Sequence, residues 1–369
     1  MVSKMIAEKQ KTLRADHIGS LLRSPQLLEA RRDDAAPERL REIEDRDILK
    51  LFAKQQEIGC GIFSDGELRR RIFSGILADA VEGFGHVEGN RRKWSGGDSS
   101  IGVTNAVLAP LRQRRPLTAY ELPFLQEHCP GPFKMTLPSA NQFSASSYKR
   151  GVSEAAYADR KELLYDITAI MTGEVARLAE AGVSYIQIDA PRYSYYLDPK
   201  WRDWLSTEME ADPDELLDQA IHADNVVLRA GRRPNVTVAV HLCRGNNRSN
   251  WHSEGAYDAI AEKLFNTLEA DRFLLEYDDE RSGGFEPLRF VPKDKVAVLG
   301  LVSTKSGQLE SADDLRRRID EAAKFVPLDN LALSPQCGFA SVMEGNSLDE
   351  AAQWAKLKLV NDVAASVWE

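Results

Sequence analysis

The chain is short of cysteine, of positive charge and of long apolar runs, and each shortage excludes something. Its four cysteines, Cys60, Cys129, Cys243 and Cys337, are scattered over 369 residues. That is not the dense, paired spacing of a disulfide framework, and it points to the cytoplasm and reduced thiols. Lys and Arg number 48 against 57 Asp and Glu, a net charge of −9. A nucleic-acid or acidic-membrane partner calls for a basic surplus, so neither is expected. No apolar run approaches the ~18 residues needed to span a bilayer. The opening MVSKMIAEKQKTLR lacks the apolar stretch of a secretory signal. Internal repeats, coiled-coil heptads and low-complexity tracts are also missing.

What is there is an ordinary globular composition, 43% hydrophobic and 28% charged, long enough for a large core. Eight strand-like runs recur, at 12–20, 62–67, 133–140, 185–191, 236–243, 273–279, 296–304 and 331–337. Several are nearly continuous apolar runs, as in parallel strands covered on both faces. Helical patterns lie between them. Residues 153–181 open at Ser153 and stop at Gly182. Ser311 with Asp314, and Ser347 with Glu350, read as capping boxes. Eight strands alternating with helices predict an α/β fold, a (β/α)8 barrel occupying residues 1–369 as one domain. Residues 74–132, with the run GNRRKWSGGDSS, break the alternation and read as an insertion over one face.

In such a barrel the C-terminal strand ends share one mouth, where chemistry collects. Those ends carry Ser20, Glu67, Ser139, Asp189, His241 with Cys243, Glu276, Lys305 and Cys337. Any one of them has a plain reading as a solvated strand terminus; the set of eight is harder to dismiss. His241 and Cys243 are two apart, so on a strand they share a face and can reach one ion. With Glu276 and Cys337 they make an imidazole, two thiolates and a carboxylate, a normal tetrahedral shell for Zn2+. Ligands from separate strands argue for a catalytic ion rather than a structural one. A thiolate-rich zinc suits holding a substrate thiol as thiolate at neutral pH.

Taken together, "ADHIGSLLRSP", "FSDGELRRRIF", "YIQIDAP", "AVHLC", "LLEYDDE" and "LSPQCGF" make the chain resemble the catalytic barrel of the cobalamin-independent methionine synthases. The resemblance runs through nearly the whole chain. It implies a zinc barrel that transfers a methyl group to the sulfur of homocysteine. It implies His241, Cys243, Glu276 and Cys337 as zinc ligands, Ser20 on the substrate carboxylate, and Glu67 and Asp189 on its ammonium group. Departures stand beside it. Ala190 replaces the family's acidic residue before proline. "SANQFSASSYKR" lacks the tryptophan that stacks on the pterin. Lys305 stands nearest the place of a proton-relaying histidine. The alkyl donor is therefore open between a methylfolate, a corrinoid and an epoxide.

The epoxide comes from a neighbouring activity, epoxyalkane:coenzyme M transferase, whose thiol bears a sulfonate. Arg69, Arg70, Arg71, Arg192 and Lys305 are candidate anion contacts near the mouth, although at least three of them are expected to pair with carboxylates or water. Two further readings are a metal-free barrel like the uroporphyrinogen decarboxylases and a non-enzymatic corrinoid-carrier-binding protein. The sequence leaves the oligomeric state open, a homo-oligomer included.

Overall fold

The computed structural model describes residues 13–88, 94–97 and 103–368. Much of the run GNRRKWSGGDSS and most of the opening segment lie outside those residues. Six of the eight expected strands form one parallel sheet in the order β3-β4-β5-β6-β7-β8. They are β3 (Lys134–Pro138), β4 (Tyr185–Asp189), β5 (Thr237–Leu242), β6 (Arg272–Glu276), β7 (Val296–Val302) and β8 (Leu331–Pro335). Every residue of β3, β4, β6, β7 and β8 is buried. The sheet is therefore covered on both faces, which is why these runs carry no polar alternation. The register sets Asp189 against His241 and Glu276 against Gly300, so the ends of neighbouring strands line up.

The first two expected strands are not ladders. Residues 12–20 contribute one parallel bridge, Ala15 to Leu333 on the β8 edge, and residues 62–67 contribute one, Phe63 to Phe133 beside the β3 edge. Side chains supply much of the pairing between these two segments. Ser64 Oγ donates to the Gly19 carbonyl at 2.8 Å, and His17 Nε2 lies 3.1 Å from the Ile62 carbonyl. One main-chain bond, Leu21 N to Gly66 O at 3.0 Å, joins them.

The helices pack outside the sheet. The long helix Arg160–Glu180 starts about two turns later than expected. Ser153 opens a short 3-10 turn, and the Asp159 side chain caps the helix by accepting from Glu162 N. Ser311 does cap its helix, accepting from Asp314 N. At the last helix, Glu350–Trp368, it is Asp349 that accepts from Ala352 N, while the Ser347 amide donates to Ser249 Oγ. A hydroxyl three residues before an acid is a common coincidence, and here the nearer carboxylate has the better reach.

Residues 74–132 hold a two-stranded antiparallel sheet of β1 (Val81–Glu88) and β2 (Val103–Gln113). A bulge falls at Gly83, whose φ is +106° and whose Cβ would sit 2.6 Å from the Ala109 carbonyl, so only glycine fits. The pair is fastened to the body by Ser153 Oγ donating to Val107 O and Leu111 N donating to Tyr157 Oη, both at 2.8 Å.

Candidate metal and thiol site

Three ligand-type side chains converge at the ends of β5 and β8. The ligand atoms of His241, Cys243 and Cys337 all lie within 4.8 Å of one another, and all three residues are buried. Period-two geometry on β5 turns His241 and Cys243 to one side, as expected. The Leu274 carbonyl lies 3.2 Å from His241 Nδ1, which orients the ring. Nε2 is buried without a hydrogen-bond partner. Burial opposes a charged imidazole here, but the Cys337 sulfur and the Asp189 carboxylate outweigh it and raise the His241 pKa. Hydrogen bonding between the two thiols lowers the Cys337 pKa far below a free thiol's and raises that of Cys243. Two sulfurs and one orphaned imidazole nitrogen are the donor set of a tetrahedral zinc with one place left over.

The cluster opens into a cavity of about 370 Å³ that is also lined by Ser20, Glu67, Asp189 and Arg192. Glu67 sits at a left-handed backbone position, φ +55°, directly after Gly66. Strained positions of this kind for a non-glycine residue gather at functional sites. Its Oε1 accepts from Thr136 Oγ1 at 2.7 Å, while Oε2 is buried with no partner. Asp189 accepts from Gln187 Nε2 at 2.8 Å. Burial raises its pKa to about 7, with His241 pulling down and Glu67 pushing up. Ser20 faces Gly338, where a Cβ would sit 1.9 Å from Ser20 Oγ, so any side chain at the residue after Cys337 would push the Ser20 hydroxyl aside.

Other expected residues stand elsewhere. Glu276 is fully buried at the end of β6 but does not join the three-ligand cluster. Its Oε2 accepts from Arg244 N at 2.6 Å, and its Oε1 is held by Arg281 Nη2 at 2.9 Å and Lys305 Nζ at 3.1 Å. Lys305 also bonds Asp278 at 2.8 Å and does not line the cavity. Arg70 is likewise used up. Its guanidinium grips Glu121 through two bonds, 2.7 and 2.9 Å, and donates to Thr136 Oγ1 and O. Arg69 pairs with Glu44 and Asp45, and Arg71 with Asp34. Arg192 does reach the cavity, with its Nε on Gln142 Oε1 at 3.1 Å and its guanidinium over the Tyr195 ring.

His252 and Trp94 are among the lining residues that lie off the strand ends. His252 follows a tight turn closed by Asn247 N to Asn250 O at 2.8 Å. Trp94 comes from the 74–132 segment, its indole edge-on to His252 with centroids 5.1 Å apart. Ser95 N donates to Trp251 O at 2.8 Å and Trp251 N to Ser95 Oγ at 3.1 Å, which pins the tryptophan over the loop that follows Cys243.

A parallel α/β sheet with an imidazole, two sulfurs and two carboxylates gathered around one cavity makes a site suited to a metal or a thiol. Residues 23–366 match the model of the cobalamin-independent synthase catalytic domain, and the chain belongs to that family. Among relatives, the uncharacterised protein YxjH of Bacillus subtilis is 41% identical over 98% of this chain and 97% of its own length. A 5-methyltetrahydropteroyltriglutamate–homocysteine methyltransferase of Bacillus licheniformis is 24% identical over 84% of this chain but only 38% of its own length. The solved structure of a putative vitamin-B12 independent methionine synthase from Listeria monocytogenes superposes with a TM-score of 0.72, at 26% identity, over 96% of this chain and 98% of that one.

Proposed function

We propose that the chain is a zinc-dependent S-methyltransferase that converts homocysteine to methionine. The observation that carries this reading is the convergence of His241, Cys243 and Cys337 on one point within 4.8 Å, open to a cavity whose wall includes an unpartnered carboxylate oxygen of Glu67. Bound there, zinc would hold the substrate sulfur as a thiolate, a nucleophile at neutral pH. Glu67 and Asp189 take the substrate ammonium, and Ser20 its carboxylate. Burial keeps water from competing for these contacts and for the sulfur. The sulfur then forms a bond to the methyl carbon as the methyl–carrier bond breaks, and the carrier leaves with that electron pair. A sulfonate thiol is the weaker fit, because Arg69, Arg70, Arg71 and Lys305 are committed to carboxylates and Glu67 would repel an anion.

The same reading takes the six-stranded sheet with its two bridged segments as a (β/α)8 barrel in a single unit, residues 74–132 being an addition over its mouth. It places the enzyme in the cytoplasm; none of the described helices is long and apolar enough to cross a membrane. The test is metal analysis together with a methyl-transfer assay. About one zinc per chain is expected. Methionine should form from homocysteine with either 5-methyltetrahydropteroyltriglutamate or methylcobalamin, and Cys337→Ser should lose both zinc and turnover. Full activity in metal-free protein, or no methionine from either donor, would overturn it.

A further inference from the structure

Arg23 is a buried cation, and among the described residues it pairs with no carboxylate. Both ends of its guanidinium go to main-chain carbonyls instead. Nη1 donates to Ala340 O at 2.8 Å and, more weakly, to Val342 O at 3.4 Å. Nη2 donates to Arg70 O at 2.8 Å and to Glu67 O at 3.1 Å. Burial, with Arg31 adding to it, lowers the Arg23 pKa to about 10, which leaves the fork fully protonated at neutral pH. A buried charge without an ion pair is costly. What this one joins is two loops that flank the cavity. One begins at Glu67, and the other runs on from Cys337. The neighbouring backbone makes the same connection, Leu21 N donating to Gly66 O at 3.0 Å and Phe339 N to Ser20 O at 2.9 Å. The Glu67 side of the joint is stiff. Glu67 N donates to Asp65 Oδ1 at 2.9 Å, Thr136 Oγ1 to Glu67 Oε1 at 2.7 Å, and Arg31 Nη1 to Arg70 O at 2.9 Å. Arg23 itself does not line the cavity.

We propose that Arg23 is a positioning residue that fixes the distance between the Glu67 carboxylate and the sulfur cluster at Cys337, and that this distance selects homocysteine over a thiol one carbon shorter. The selection rests on the reading above, in which Glu67 takes the substrate ammonium and zinc at the cluster takes its sulfur. Homocysteine and cysteine carry the same ammonium and carboxylate groups. They differ by one methylene between that end and the sulfur, so the spacing of the two ends of the site tells them apart. One C–C bond is about 1.5 Å, and a 1 Å error in placing reacting groups can cost about a hundredfold in rate. Further along the two loops Ile72 bridges Val342, and Phe73 N donates to Ser341 O at 3.1 Å, so the loops stay together without Arg23. That bridge stands five residues beyond Glu67 and five beyond Cys337. Arg23 holds Glu67 itself and a residue only three beyond Cys337.

The test compares homocysteine with cysteine as methyl acceptor in Arg23→Met and Arg23→Lys, alongside amide hydrogen exchange. The unmodified chain should prefer homocysteine by roughly 10–200-fold in kcat/KM, the range for one methylene. In Arg23→Met, kcat/KM for homocysteine should fall about tenfold or more while that for cysteine holds or rises, so that the preference shrinks to within about threefold. Arg23→Lys keeps the buried charge and stands in if the methionine variant does not fold. One ammonium lacks the planar fork that reaches both loops, so this variant should lose the preference too. Exchange should quicken at residues 66–70 and 338–342 together in both variants, with or without zinc. Zinc content should stay near one per chain. An arginine that only supports the fold would lower turnover of both thiols by one common factor. That equal fall, an unchanged preference in an active variant, or exchange that quickens in one loop alone overturns the role of Arg23 and leaves the proposed function standing. If the unmodified chain methylates neither thiol, the proposed function falls and the selection with it.

Discussion

Lys134 Nζ lies 2.6 Å from Asp16 Oδ1, and neither side chain has any exposure. The pair ties two distant parts of the sheet together: Lys134 is on the β3 edge, and Asp16 is in the segment bridged to β8. Asp16 Oδ2 also accepts from Tyr185 Oη at 2.7 Å and faces Arg272 at 3.5 Å, so one carboxylate serves β3, β4 and β6. Lys134→Met should therefore destabilise the fold by about 3 kcal/mol, the low end for breaking a buried pair, because Arg272 and Tyr185 remain. Urea unfolding followed by circular dichroism measures this. A loss well under 1 kcal/mol would mean the pair is not what joins the edges.

Stability should fall on acidification through the same region. Burial, with Lys134 adding to it, depresses the His17 pKa to about 4 from an ordinary 6.5. The unfolded chain then binds more protons between those values, so this contribution is complete above pH 6.5 and is lost as pH falls toward 4. It is on the order of 3 kcal/mol at most. Asp16, lowered to about 2 by Lys134 and Arg272 against the opposing effect of burial, adds a second loss at lower pH. Melting curves of His17→Gln should be flatter between pH 4 and 6.5 than those of the unmodified chain.

If homocysteine is the acceptor, Asp189→Ala should cost roughly 2–5 kcal/mol in kcat/KM by leaving the substrate ammonium with Glu67 alone. Arg192→Ala should cost less. Zinc content should stay near one per chain in both. The opposite order, with Arg192→Ala inactive and Asp189→Ala nearly normal, would point to an anionic thiol instead.

Trp94 supplies an aromatic wall on the outer side of the cavity. Trp94→Ala should raise KM for the methyl donor about tenfold, in keeping with ~1–1.5 kcal/mol for an aromatic contact, and leave KM for homocysteine within twofold. Trp94→Phe should recover most of the loss. Equal changes in both constants would show that the ring merely closes the cavity.

The six strands of the sheet were legible because burial on both faces demands unbroken apolar runs, and Val296–Val302 is such a run. The first two were legible as segments but not as ladders. Each makes a single main-chain bridge to the sheet, and His17, Ser64 and Lys134 side chains add bonds that leave no periodicity behind. His241, Cys243 and Cys337 could be read from strand-end position and period two. Glu276 has the same position, but its rotamer is decided by Arg281 and Lys305, and the place of a residue on a strand does not reveal the cations that claim it. Arg70 fell to Glu121 in the same way. Trp94 and His252 reach the cavity from an inserted segment and a turn, where no strand rule applies.

The hub at Asp16 has a consequence for synthesis. Domains form as units while the chain is still emerging from the ribosome. Asp16 leaves the ribosome well before Lys134, and long before Arg272 on β6. Until Lys134 arrives its carboxylate has neither of the cations that neutralise it in the finished sheet, and until β6 arrives it still lacks Arg272. The bridge from Ala15 to Leu333 must wait longer still, for β8. Cys337, the last sulfur of the cluster, appears just after that strand, so the N-terminal segment can dock and the ligand set can be completed at nearly the same moment. A translation pause before residue 331 should accordingly leave a nascent chain that neither binds zinc nor protects its first segment from protease.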